Sequence, residues 1–441
     1  MRLCTLVTRS VSPSAISSEP AANQDWVAFP KSGMTDASRV EIPDESLDGE
    51  VAVKLAATGG IGRIGQIDTL RAFAMTAVII QHCGLMPFGW LGVWLFFVIS
   101  GFVVTESLMA RTIATGVGER LYQFYIRRIV RIWPIYLGFC VVGFAVSSMI
   151  IGRLDWRPMA SLIGFYNNVE VAFGNGFFAA WPSGQLWTIS VEWQFYLVFG
   201  LAFIFVPKRW LAVGLGVLVF LCPLLRFALG SWLASRYSPL DAAYAVYTFP
   251  GLHFDAFAMG ALLAIFGPRV GWRCLSARLT WLGAAGLTSY CLIYIMINAA
   301  HGARGVNLVT NVISGICFGD RREVFLYSAI DLASVAFVAI AVVGGGMLEP
   351  LLKQRWLQAI GRVSYGGYIY HSAVLGFILW IIKALDFNPP GQMGAAARGL
   401  VELTIALPTT ILLAFASYRW IEQPLLTRVG SWLRGRAVTV T

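Results

Sequence analysis

The sequence predicts an all-α fold, a polytopic transmembrane helical bundle of about ten spans with both termini cytoplasmic. Of 441 residues, 57% are hydrophobic and only 13% charged, with a mean hydropathy of +0.69; soluble domains carry about 25% charged residues. Apolar segments recur at the length of about 20 residues that a helix needs to cross a bilayer. Basic residues gather between those segments: Arg120, Arg127, Arg128 and Arg131; Lys208 and Arg209; Arg269, Arg273 and Arg278; Lys353, Arg355 and Arg362; Arg428, Arg434 and Arg436. Such clusters keep to the cytoplasmic side, and ten crossings with internal termini put all of them there.

Residues 1–60 are rich in Ser, Ala, Pro and acidic residues and lack an apolar run long enough for a signal peptide. That composition predicts a disordered cytoplasmic segment. The membrane domain is expected over 61–427. Its first span, 67–86, carries Asp68, Arg71 and His82 in otherwise apolar surroundings, and the second, 90–108, is rich in Gly and Phe. A third, 129–151, begins within the stretch RRIVRIWPIY at 127–136. An outer loop of unusual length, 157–186, holds Asn167, Asn168, Glu170 and Asn175 and is expected to dip back toward the membrane. Spans at 187–206, 210–229, 244–266 and 279–299 come next. The outer loop 300–324 carries Arg304, Arg321 and Arg322 against the charge bias. Spans at 325–346, 364–384 and 399–420 complete the bundle, and 428–441 is expected to be a basic cytoplasmic tail.

The net charge of +10 is spread between spans and forms no basic domain, which argues against a nucleic-acid partner. Seven cysteines stand singly with no CxxC pair, and read as small core residues and not as disulfides or metal ligands. Four histidines without an HExxH pattern argue against a metal centre. No internal repeat is visible, so the inverted-repeat signature of many transporters is missing.

The chemistry is expected where ionisable groups interrupt the apolar runs, since each costs about 2.5–3.5 kcal/mol or more in the membrane. Arg71 and His82 are eleven residues apart, so they share a helix face at about 16 Å separation along the axis. Asp68, three residues before Arg71, is placed to pair with it. Either residue alone reads equally well as structural, Arg71 reaching lipid headgroups and His82 bonding a neighbouring helix, or as functional; the two on one face suit a long, thin ligand with negative charge at its cytoplasmic end and reactive chemistry at the other. Arg127, Arg128 and Arg131 read first as topology determinants, and otherwise as a clamp for phosphate, whose oxygens a guanidinium matches in pairs. Glu192 opens an apolar run with Tyr196 one turn later, and reads either as a group near water or as a site carboxylate. His253 and Asp255 lie within an apolar segment. Ser364 and His371 share a face with Tyr368 beside them, His371 being equally readable as a structural hydrogen-bond partner.

Taken in order, IDTLRAFAMTAVIIQH, WLGVWLFFVISGFVV, RRIVRIWPIY, LWTISVEWQFYL, FDAFAMGALLA, SYGGYIYH and SYRWIEQPLL resemble the segments of the acyltransferase-3 family of integral membrane acyltransferases. The likeness covers about residues 64–427. It departs from the family at Trp94, where an acidic or polar residue is frequent, at His253, often Arg, and at Trp193, often Glu. The resemblance implies transfer of an acyl group, usually acetyl, from acyl-CoA to a hydroxyl of a carbohydrate such as exopolysaccharide, lipopolysaccharide or a lipo-oligosaccharide. The implied catalytic residues are His82, as general base, and Glu192. Arg71, Arg127, Arg128 and Arg131 would hold the phosphates of acyl-CoA, the donor co-substrate. Asp68, Tyr196, Asp255 and His371 would support the site or touch substrate, and no metal is implied. The chain is expected to lack the esterase-like domain fused to some relatives, so that the membrane part and its loops would handle the glycan or glycolipid acceptor. The expected location is the bacterial inner (cytoplasmic) membrane. The competing expectation is a transporter or flippase for a glycolipid or polysaccharide precursor, which would bind through the same groups without chemistry.

Overall fold

The computed structural model describes residues 64–110, 116–309, 312–313, 319–344, 346–385 and 391–439; the segment 1–60 and its expected disorder lie outside them. Among the described residues every regular element is helical. The chain runs through α1 (Gly65–His82), α2 (Leu91–Met109), α3 (Val117–Ile151), α4 (Trp156–Ile163), α5 (Asn167–Ala172) and α6 (Trp187–Phe205), the last entered through a 3₁₀ turn, Gly184–Leu186. It continues through α7 (Lys208–Ala234), α8 (Pro239–Thr248), α9 (Phe254–Val270), α10 (Trp272–Ala300) and α11 (Arg322–Val343). The short helices α12 (Glu349–Leu352) and α13 (Arg355–Arg362) lead into α14 (Ser364–Ala384). Helix α15 (Gly391–Ser417) passes through a π turn, Tyr418–Glu422, into α16 (Gln423–Thr439).

Eight of the described helices are long and apolar enough to cross a membrane. The other two of the expected ten are α1, which has 18 residues and carries Asp68 and Arg71, and α9, which has 17. Both lie inside the bundle, where helices and not lipid cover them, so neither needs a fully apolar exterior. The span expected at 244–266 is instead two helices. Pro250 has no N–H to donate and Gly251 sits at φ +79°, a conformation glycine adopts without steric cost; together they break the run that hydropathy alone reads as continuous. The third span begins earlier than expected, at Val117, so its arginines sit on helical turns and have fixed directions. The expected basic tail is a helix to Thr439.

The long loop 157–186 is packed. Asn167 and Asn168 are fully buried; Asn167 donates to Ser161 Oγ (3.0 Å) and to the Gly176 carbonyl (2.7 Å). Gln194 of α6 donates to Asn168 Oδ1 (2.9 Å) and to the Phe165 carbonyl (2.8 Å). These bonds pair the buried amide N–H groups, and those of Gln194 fasten the loop to α6.

Helices α2 and α9 meet backbone to backbone. A β-carbon at Gly101 would overlap the Phe257 carbonyl, and one at Gly260 the Val98 carbonyl, so small residues set the approach, as is common between membrane helices. A second tie is electrostatic. Arg226 of α7, fully buried, donates to both carboxylate oxygens of Asp255 on α9 (2.8 and 3.1 Å). It also donates to Ser328 of α11 (2.9 Å) and to the Leu252 carbonyl (2.6 Å). Cys83, Cys140, Cys222 and Cys291 are free thiols, as expected.

Candidate active site

The site starts from the first turns of α1. Thr69 donates to the Leu352 carbonyl (2.8 Å), and Gly361 of α13 lies so close to the Asp68 backbone that a β-carbon there would overlap it. With the turn pinned, Asp68 (side chain 2% exposed) accepts from Arg71 Nη1 at 3.1 Å. The carboxylate holds the guanidinium at the wall of a cavity of about 720 Å³, mouth included.

That cavity gathers residues from five helices. Arg71 comes from α1, Phe96 and Ser100 from α2, Arg128 and Arg131 from α3, Thr188, Glu192 and Tyr196 from α6, and Ser364, Tyr365 and Tyr368 from α14. Glu192 accepts from Ser100 Oγ (2.6 Å) and from the Tyr196 hydroxyl. The Arg128 guanidinium lies 5.3 Å from the Tyr196 ring centroid and 5.8 Å from that of Phe124, a cation–π arrangement that orients it toward the carboxylate's neighbour. Tyr365 donates to the Ile132 carbonyl (2.8 Å). The Tyr368 hydroxyl receives a bond from Thr188 (3.0 Å) and donates to the Gln185 carbonyl (3.3 Å). Of the expected donor-binding and catalytic groups, Arg71, Arg128, Arg131 and Glu192 thus share one chamber.

A second cavity, of about 870 Å³, adjoins the first. Arg127, Arg128, Arg131 and Arg362 line it, with Tyr365, Tyr418 and Glu422. Arg128, Arg131 and Tyr365 belong to both walls. Four guanidinium groups around one opening suit a polyanion, since arginine binds phosphate oxygens bidentately.

His82 ends α1 and is exposed at its surface. Its ring centroid lies 5.1 Å from that of His371, which is fully buried. Tyr368 stands 5.5 Å from His371 and 6.0 Å from Phe96, centroid to centroid. Neither imidazole is among the residues lining the first cavity, whereas Phe96 and Tyr368 are. The first cavity thus reaches Tyr368, the neighbour of His371, without being lined by His82. Asp255 is not in this chamber; it pairs with Arg226. His253 bonds the Val246 carbonyl through Nε2 (3.1 Å) and packs against Trp94 and Tyr327.

Sequence reasoning passed over Ser100, Thr188, Arg362, Glu422 and Arg226 as site or framework residues. Arg362 carried a signal, but as one more basic residue between spans. Arg226 was an unremarked charge inside the apolar run 210–229, which is itself the sign of a buried partner.

A family model described as an acyltransferase domain matches residues 64–419 of the chain. Among curated proteins, the O-acetyltransferase OatA of Staphylococcus aureus is 25% identical over 378 residues, covering 81% of this chain and 56% of its own length. The peptidoglycan O-acetyltransferase OatA of Listeria monocytogenes is 25% identical over 388 residues, covering 82% and 56%. The chain thus spans about half the length of the curated relatives it matches. No solved structure matches it at a significant level.

Proposed function

The chain belongs to the family that this acyltransferase domain defines, and on that premise we propose that it is a membrane O-acyltransferase moving an acetyl group from acetyl-CoA to a hydroxyl of an envelope carbohydrate. The observation that carries the reading is the pair of adjoining cavities that share Arg128 and Arg131. Coenzyme A is long, with phosphates at one end and a thioester at the other. The cavity ringed by Arg127, Arg128, Arg131 and Arg362 receives the phosphates through charge-assisted bonds. The thioester arm then extends past Tyr365 into the chamber of Arg71, Glu192 and Tyr368.

Chemistry takes place where that arm meets the imidazoles. His82, exposed to an incoming acceptor, removes the hydroxyl proton as the oxygen attacks the thioester carbonyl; imidazole is the side chain whose ordinary pKa suits that task. The new C–O bond forms, the C–S bond breaks, and the thiolate takes the proton back from His82, leaving free CoA. Glu192 acts from inside the chamber, balancing Arg128 and Arg131. The relatives' names make peptidoglycan the first acceptor to test; other surface polysaccharides and lipid-linked glycans carry the same hydroxyl chemistry.

The test is thiol release from acetyl-CoA by purified protein in lipid nanodiscs, with and without oligomers of N-acetylglucosamine and N-acetylmuramic acid. Wild type is expected to release CoA only with an acceptor, and His82→Ala to lose roughly 10²–10⁴-fold in rate, the usual worth of a general base. A His82→Ala protein as active as wild type removes the base assignment. A protein that never consumes acetyl-CoA with any glycan removes the enzyme reading and leaves a glycolipid carrier.

A further inference from the structure

We infer that His371 is a positioning residue, which fixes the nitrogen of His82 that carries a proton and so presents the other as the base. The inference rests on the acyl-transfer reading and deepens it.

Hydrogen-bond accounting at one buried ring supports it. His371 Nδ1 lies 2.6 Å from the Tyr368 carbonyl oxygen. A carbonyl only accepts, so Nδ1 carries the hydrogen. In a neutral imidazole the other nitrogen is then a bare acceptor. A second proton on His371 would place a cation in a fully buried position, where an unpaired charge is costly. His371 Nε2 is thus a lone pair, buried, and without a hydrogen-bond partner among the described residues. Leaving such a group unsatisfied in the interior is costly, so it needs a donor.

One donor is in place. The His82 ring stands 5.1 Å from His371, tilted by 58°, at the exposed end of α1. Rotation that aims one N–H of His82 at Nε2 satisfies the orphan acceptor and leaves the second nitrogen of His82 unprotonated and facing outward. That second nitrogen is the one that takes the hydroxyl proton. The relay is backbone carbonyl, buried imidazole, catalytic imidazole, with a neutral histidine where many enzymes place a carboxylate. Tyr368 contributes a third link, since its own hydroxyl is held by Thr188 and Gln185, so the carbonyl that sets the tautomer sits on a braced turn.

Three substitutions test the idea in nanodiscs with acetyl-CoA and the oligosaccharide probe above. His371→Gln places an amide terminus near the position of Nε2; His371→Asn places it near Nδ1; His371→Phe keeps a buried ring and has no acceptor. His371→Phe and His371→Asn are expected to lose roughly 10–100-fold in kcat, as removal of an orienting partner typically does, with the KM for acetyl-CoA unchanged. His371→Gln is expected to recover most of that loss. A merely structural role would lower the folded fraction in all three or raise KM, and would not separate Gln from Asn. Equal kcat in His371→Phe and wild type overturns the inference while leaving the enzyme reading intact. A wild type without turnover overturns both. Nitrogen-15 NMR of histidine-labelled protein, which has four histidines, gives a readout independent of activity. A neutral ring protonated at Nδ1 is expected, its signal vanishing in His371→Gln; an Nε2-protonated His371 sinks the proposal.

Discussion

Replacing Arg226 with Met should destabilise the folded protein by about 3–5 kcal/mol, the usual loss when one partner of a buried ion pair is removed. Arg226 and Asp255 are both fully buried. The substitution deletes two bonds to Asp255, one to Ser328 and one to the Leu252 carbonyl. Each bond to a charged group is worth about 1.5–3 kcal/mol, and four such bonds summed would exceed the quoted range; bonds within one network are not additive, so the measured value for buried pairs is the better guide. Asp255→Asn should cost less, because the amide still accepts one bond and Arg226 keeps Ser328 and the Leu252 carbonyl. The double change Arg226→Met with Asp255→Leu should recover much of the loss, since replacing a buried pair with apolar groups is often neutral. Unfolding by SDS titration in mixed micelles, followed by tryptophan fluorescence, measures all three. A single Arg226→Met variant within about 0.5 kcal/mol of wild type, the range of an ordinary surface change, would refute the reasoning, as would a double variant no better than the single.

Arg71→Ala should weaken acetyl-CoA binding more than it slows bound chemistry, so KM rises with kcat nearly unchanged; the reverse split in steady-state kinetics would reassign the residue to the reaction itself. Arg362→Gln should raise the acetyl-CoA KM by roughly 10–100-fold, the equivalent of one charge-assisted bond, and the same variant tested against dephospho-CoA tells which phosphate it meets. Glu192→Gln keeps a polar group at the cavity wall and should lower kcat/KM by a similar factor, with melting temperature close to wild type. Gly101→Leu, which meets the Phe257 carbonyl, should fail to give monodisperse protein in size-exclusion chromatography.

The spans were legible because bilayer length and apolar composition leave a periodic trace that needs no neighbours to interpret. The break between α8 and α9 was not, since the apolar count runs straight across Phe249–Pro250–Gly251, and only backbone conformation reveals it. In the site, Arg71, Arg128, Arg131, Glu192 and Tyr196 were readable as ionisable groups in apolar surroundings, and the structure gathers them around one cavity. Arg127 follows a different course, lining only the second cavity, as a residue 100° from Arg128 around the helix should. The meeting of His82 and His371 depends on which helix lies beside α1, and a one-dimensional pattern carries no record of adjacency. Arg362 was hidden by its own sign, because a basic residue between spans already has a topological explanation.

The glycine contacts between α2 and α9 divide the molecule mechanically. Where Gly101 meets Phe257 and Gly260 meets Val98, backbone touches backbone and there is no side chain to change rotamer and let one helix slide on the other. The pair therefore moves as a single stiff plate. Across the chamber the contacts are side chains, Tyr365 and Tyr368 of α14 and Tyr196 of α6, each held by hydroxyl bonds and not by backbone contact, so they yield at lower cost. Widening of the chamber to admit a long donor falls to that compliant wall, and hydrogen exchange should find its hinge at the α14 end while the plate stays protected.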